Sequence, residues 1–180
     1  ARGTALFRLS TLDWALIEQA MGLANEIGEQ AAWEAYFKLV AGLGTHAYGV
    51  DATELQTIRD LNLELFSVSS LRELPPSQLQ AMVRQIKATI ADHDKQFPDN
   101  PHEQLHDAVT AVFQSWMNPQ AKAIRERFGY PESIGTAAIV QKMVWGNAKE
   151  DGAGSAVVFT RDPKELGNEP IVFFAEHEQG

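Results

Sequence analysis

The 180-residue chain has no cysteine, which excludes disulfides, thiolate metal sites and cysteine nucleophiles within it. Basic residues are scarce: 15 Lys and Arg stand against 24 Asp and Glu, for a formal net charge of −9. A surface that tracks nucleic-acid phosphates needs a basic surplus, so broad nucleic-acid binding is excluded, while a local basic pocket for one small anion stays compatible. Long apolar runs are also missing. None approaches the roughly 20 residues of a membrane span, and nothing at the N-terminus reads as a signal peptide, so a soluble, cytoplasmic protein with no membrane partner is expected. Glycine-rich phosphate loops are absent too: Gly42 and Gly44 follow no strand, and Gly152 and Gly154 precede a strand instead of a helix.

What is present is an ordinary globular composition, 44% hydrophobic and 22% charged. The opening Ala1-Arg2-Gly3-Thr4 has no initiator methionine, and Glu178-Gln179-Gly180 follows directly on a strand-like run. Both are expected of an interior piece of a longer polypeptide. The first two-thirds carry helical periodicity. Ser10 caps a first helix with Leu12, Leu16, Ala20 and Leu23 on one face, and Gly28 closes it. A second helix is expected over 31–48, with Trp33, Tyr36, Phe37 and Val40 as its apolar face and Gly42 and Gly44 weakening it midway. Asp51 to Glu54 form a capping box for a third helix carrying Leu55, Ile58, Leu61, Leu65 and Phe66. A loop over 67–76 leads to a fourth helix from about Ser77, with Leu79, Met82, Val83, Ile86 and Ile90 inward. Asn100-Pro101 and Asn118-Pro119 both read as cap plus first-turn proline. The helix after the first carries Leu105, Val109, Val112, Phe113 and Trp116, and the one after the second ends at Gly129.

Beyond Gly135 the period becomes two. Segments 136–145, 155–160 and 171–175 read as strands, with 147–154 long enough for a hairpin turn between the first two. The expected class is α+β: a helical subdomain over 1–130, then antiparallel strands over 131–180 packed against it.

Two sets of residues could carry chemistry. His102-Glu103-Gln104-Leu105-His106 fits the H-E-x-x-H pattern of zinc hydrolases. Against it, His102 lies in the first turn, no third ligand stands at a recognisable spacing, and the metal face would be continuous with Leu105, Val109 and Val112. An acidic first turn bearing two surface or half-buried histidines is the reading adopted. No metal ligand and no catalytic residue is assigned.

The second set is longer. Val112-Phe-Gln-Ser-Trp-Met-Asn-Pro119 is followed by Arg125 and Arg127, Gly135-Thr136-Ala137, Val140-Gln-Lys-Met-Val-Trp-Gly-Asn147 and Gly154-Ser-Ala-Val-Val-Phe-Thr-Arg-Asp-Pro163. On these residues the chain resembles the nucleotide-binding domain of the pyruvate, phosphate dikinase family, ATP-grasp enzymes related to phosphoenolpyruvate synthase. The family's stretches V-F-x-S-W-x-N-P, G-T-A-x-x-V-Q-x-M-V-x-G-N and S-G-T-G-V-A-F-T-R-N-P occur in this order at similar spacing, densely from about Leu105 to Pro163. The resemblance implies ATP and magnesium as cofactors, held between two lobes, with this chain supplying a helical insert and part of the second lobe. It implies phosphoryl transfer to a histidine on a separate domain and then to pyruvate, giving phosphoenolpyruvate. The phosphohistidine domain would be a partner within the full-length protein, and a homodimer is the assembly carried with it.

Within that frame, Gln141, Met143 and Trp145 share one face of the 136–145 strand and form one wall of an adenine slot or, alternatively, sheet core. Arg161 holds a phosphate oxygen or pairs with a nearby carboxylate. Several residues depart from the pattern. Gln114 and Gln120 stand where the family has arginine, Ala156 replaces a glycine, and Lys164 to Gly167 replace an S-T-G-E turn. Phe173 falls where the family has a metal- and phosphate-site glutamate. Glu176 or Glu178 reaches that place only with a register shift or bulge. These departures weigh against a complete magnesium site in this chain. They keep open a second class of function, a diverged non-catalytic module serving regulation or assembly; a zinc hydrolase is the third.

Overall fold

The computed structural model describes residues 24–25, 27–140, 144–149, 152–161 and 169–179. Its architecture is α+β; the described residues hold five complete α-helices followed by a two-stranded antiparallel sheet. Helix α1 spans Glu29–His46, α2 Ala52–Leu65, α3 Pro76–Asp92, α4 Pro101–Ser115 and α5 Pro119–Phe128; strand β1 is Gly154–Phe159 and β2 Ile171–Glu176. Short 3-10 turns occupy Leu71–Glu73 and Glu132–Ile134. The helix expected to start at Ser10 lies largely outside the described residues. No helix among the described residues is long and apolar enough to cross a membrane.

The core belongs to α1 and α3. Leu79, Met82, Val83, Ile86 and Ile90, spaced at three and four residues along α3, are all buried against Phe37, Leu39, Val40 and Leu43 of α1. Leu55 of α2 and Leu74 and Phe97 from the connecting segments close the same cluster. Gly44 does not weaken α1 as expected. The helix runs through it, and a Cβ there would lie 2.9 Å from Leu55 Cδ1 and 3.3 Å from Ile90 Cδ1, so its missing side chain lets α2 and α3 approach. On α2 the buried positions are Leu55 and Asn62, while Leu61 and Leu65 are exposed. Asn62 bonds the Ile58 carbonyl and is reached by Gln78 Nε2.

The caps follow elementary rules. Asp51 accepts from Thr53 N at 2.7 Å, and that backbone donor holds its carboxyl below the usual range. The reciprocal half of the capping box is not made, because Glu54 turns to His93 Nε2 at 3.1 Å. Asn100 and Asn118 accept from His102 N and Gln120 N, ahead of prolines that need no donor. Gly129 ends α5 at φ 67°, a left-handed conformation that costs glycine nothing.

Three expectations are corrected. The apolar face expected on α4 is only half covered: its buried residues are Gln104 and Ala111, and Phe113 is exposed. This helix sits at the rim of the α1–α3 block, so part of the stripe finds no neighbour among the described residues. Residues 136–140 and 144–145 form no strand. Among the described residues no strand offers them a ladder to satisfy their backbone groups, and Val144 is 87% exposed. The hairpin therefore joins the second and third expected strands, in the register Gly154↔Glu176 through Phe159↔Ile171. Finally, the sheet is not laid on the helices. Val157, Phe159 and Phe173 on one face, and Val158, Val172 and Phe174 on the other, are all exposed.

Candidate functional site

Among the described residues the hairpin meets the helices at the Gly154–Glu176 end, and the residues that make the junction are those around Trp145. The Trp145 indole packs on Ile27, Ala32 and Ala35 at the start of α1. Next to it, Gly146 N donates to Gln179 Oε1 at 2.6 Å, and Ser155 Oγ donates to the Glu178 carbonyl at 2.6 Å. A Cβ on Gly146 would collide with Glu178 O, Ser155 Oγ and Gly154 O, so the backbone of this loop lies directly on the hairpin end. Ion pairs extend the junction. Arg72 Nη1 meets Glu178 Oε1 at 3.0 Å and its Nε lies 4.0 Å from Glu34 Oε2, while Glu34 also holds Lys38 at 2.7 Å. Lys149 Nζ reaches the Ala24 carbonyl at 3.4 Å, and His177 Nδ1 lies 3.2 Å from the Ala148 carbonyl.

A second polar corner lies between α4 and α5. Arg125 is only 5% exposed. Its guanidinium sits over the Trp116 ring, 4.0 Å from Cζ to the centroid, and Nη1 donates to the Trp116 carbonyl at 2.7 Å. Side chains on a helix point back toward its N-terminus, which brings a residue in the second turn of α5 onto the segment just before it.

The expected site residues separate into groups. Gln141 and Met143 lie outside the described residues. Trp145 is half-buried against the helices, and Glu176, opposite Gly154, shares its end of the hairpin. Arg161 is exposed two residues past the far end of β1. At about 3.3 Å per strand residue, that puts it roughly 20 Å from the Gly154 end. Among the described residues β1 pairs with β2, and 136–140 and 144–145 join no ladder that would set Trp145 beside Arg161. Phe173, 60% exposed, sets its ring edge-on to Phe159 at 6.1 Å and offers no oxygen. Glu178 is engaged by Arg72. Among the described residues no three His, Asp or Glu side chains converge to hold a metal, so these residues do not by themselves fit magnesium.

The H-E-x-x-H segment lines a shallow surface hollow with Gln96, Pro98 and Asp107. Asp107 is occupied there: Tyr48 Oη donates to its Oδ2 at 2.6 Å, and His106 Nδ1 is 3.4 Å from its Oδ1. Burial and this carboxylate push the Tyr48 phenol well above its ordinary range. Titration with zinc is expected to give no stoichiometric tight binding; a tight site that disappears in His106→Ala would overturn that expectation.

Two roles were not visible beforehand. Gly146 appeared in the sequence only as one letter of a motif, although a lone glycine between an apolar run and a polar turn does signal close backbone approach. The Arg72–Glu178 pair spans 106 residues, and no local pattern announces it.

Comparison with known proteins bears on what this assembly belongs to. A family model described as the pyruvate phosphate dikinase AMP/ATP-binding domain matches residues 56–180. The pyruvate, phosphate dikinase of Giardia intestinalis is 35% identical over 149 residues, covering 82% of this chain and 17% of that protein. That of Rhizobium meliloti is 32% identical over 170 residues, 91% of this chain and 19% of its own. That of Clostridium symbiosum is 32% identical over 145 residues, 79% and 16% respectively. The chain thus spans less than a fifth of the length of these relatives. Because the match runs from within α2 through β2, over more than half of the chain, the chain belongs to the pyruvate phosphate dikinase AMP/ATP-binding domain family.

Proposed function

We propose that this chain supplies part of the ATP-binding domain of a dikinase-like phosphotransferase, with residues 1–130 as its helical subdomain and 131–180 as strands of the second ATP-grasp lobe. The observation that carries this reading is the family match over residues 56–180, which takes in the Trp145–Gly146 junction, the Arg125 corner and both strands. In such chemistry the protein positions the phosphates and neutralises their charge, and contributes little covalent work. Trp145, with Gln141 and Met143, would line the adenine. Arg161 would hold a phosphate oxygen once another part of the polypeptide carries that group to the far end of β1. Glu176 would take the place of the family's glutamate only with a register shift or bulge, since it lies on the opposite face of β2 from Phe173. Magnesium needs ligands from beyond the described residues. In the whole polypeptide ATP would phosphorylate a histidine and then pyruvate, in the cytoplasm and as a homodimer.

The whole polypeptide, given ATP, phosphate, magnesium and pyruvate, should form phosphoenolpyruvate through an acid-labile phosphohistidine. The chain by itself should bind ATP weakly, because most phosphate donors lie elsewhere. Calorimetry showing micromolar ATP binding by the 180 residues, or phosphotransfer to pyruvate by them, would contradict the division of labour. One observation favours a non-catalytic module as second reading: the exposed positions Gln114, Gln120 and Phe173 offer no charge where the family pattern has it. ATP binding by the whole polypeptide with no phosphohistidine formed would establish that reading instead.

A further inference from the structure

Arg125 presents an unbalanced charge. Its Nη1 is satisfied by the Trp116 carbonyl and its face by the Trp116 ring, but Nε and Nη2 are buried with no hydrogen-bond partner. These two nitrogens form one edge of the guanidinium, the side-on fork that matches a carboxylate bidentately. A buried cation with two unmade hydrogen bonds is costly, so the edge calls for an oxyanion. The Glu132 carboxylate is in place: its Oε1 lies 3.9 Å from Nη2, about 1 Å beyond a charge-assisted hydrogen bond. Glu132 is 78% exposed at its side chain and sits in the Glu132–Ile134 turn, so little packing holds its carboxylate away from the guanidinium edge. The two orphan nitrogens are sealed from solvent, which favours this internal carboxylate over a diffusing anion.

The consequence concerns the segment that follows. Residues 135–140 run without helix or ladder and are mostly exposed. At their far side Trp145 and Gly146 are fixed to α1 and to the hairpin end. At their near side the turn 132–134 places Glu132 beside the buried Arg125 guanidinium. We propose that Arg125 and Glu132 form a bidentate pin that positions residues 135–140, and through them Trp145, for the nucleotide. The nucleotide half of this statement rests on the function proposed above.

Two measurements test it. In ¹⁵N NMR of the 180-residue chain, the Arg125 Nε–H, assigned by its loss in Arg125→Lys, should exchange slowly with water. In Glu132→Gln it should shift and exchange at least tenfold faster. Rapid exchange in the unaltered chain, or no change in Glu132→Gln, overturns the pin. In the whole polypeptide, Glu132→Gln should raise the KM for ATP about tenfold with kcat nearly unchanged, and Glu132→Asp should restore most of it. An unchanged KM overturns the positioning role even if the NMR result holds. Absence of ATP-dependent turnover in the unaltered polypeptide would sink the functional reading and the nucleotide half together, while the NMR arm still decides the pin.

Discussion

Ile86→Ala should lower the unfolding free energy of this chain by about 2–5 kcal/mol, the usual cost of removing a buried isoleucine side chain and leaving a cavity. Ile86 is fully buried at the centre of α3, within a cluster that draws on α1, α2 and both flanking loops, so few neighbours can move in without losing contacts of their own. Against a typical domain stability of about 5–15 kcal/mol, that loss moves a urea midpoint far or abolishes folding at 37 °C. The same truncation at Val109, half-buried on the rim helix α4, should cost less than about 1 kcal/mol, because less apolar surface leaves water on folding. Urea unfolding followed by far-UV circular dichroism decides. Equal losses at the two positions would mean that the core is not centred on the α1–α3 contact.

What could be read in the sequence, and what could not, divides along range. The inward face of α3 was legible to the residue, since a three-and-four spacing of Leu79, Met82, Val83, Ile86 and Ile90 needs only one partner to be right. The caps at Asp51, Asn100, Asn118 and Gly129 were legible for the same reason: each is settled within one turn of chain. The strands at 155–160 and 171–175 were found, but not their pairing. Alternation says which face a residue takes and nothing about which strand lies next to it. Segment 136–145 reads as a strand because Ile139, Val140, Met143 and Val144 suit one. The residues described within it make no ladder because no neighbour offers one. On α4, periodicity marked an apolar face correctly while coverage depended on how far the helical block reaches. The site suffered most from this limit. Trp145 and Arg161 look close through a hairpin that the described residues of 136–145 do not form, whereas Arg125 is buried by a turn and an aromatic ring nine residues away. The family motifs all fall within residues 56–180, which the family model matches, since a motif is read without needing geometry.

Gly146→Ala should detach the Trp145 loop from the hairpin end, at a cost of roughly 2–4 kcal/mol. Overpacking a tight site costs about 1–3 kcal/mol, and losing a hydrogen bond adds about 1 kcal/mol. The obstacle is unusually rigid. Two of the three atoms that the new methyl would strike are backbone carbonyl oxygens, Glu178 O and Gly154 O, and the third is Ser155 Oγ. None can rotate away without breaking either the ladder end at Gly154↔Glu176 or the Ser155–Glu178 bond. The loop must therefore lift, giving up the Gly146–Gln179 bond and drawing the indole off Ile27, Ala32 and Ala35. Ser155→Ala removes one of the three obstacles, so the double variant should recover part of the loss, a positive coupling of about 0.5–1 kcal/mol between residues in contact. Hydrogen exchange reads the result locally: in Gly146→Ala the amides of β1 nearest Gly154 should lose protection, and those of α3 should keep theirs. The indole N–H resonance of Trp145 should move toward its solvent-exposed position. An unmoved indole with full protection at Gly154 and Ser155 would show that the loop does not rest on the hairpin, and the junction described here would fall with it.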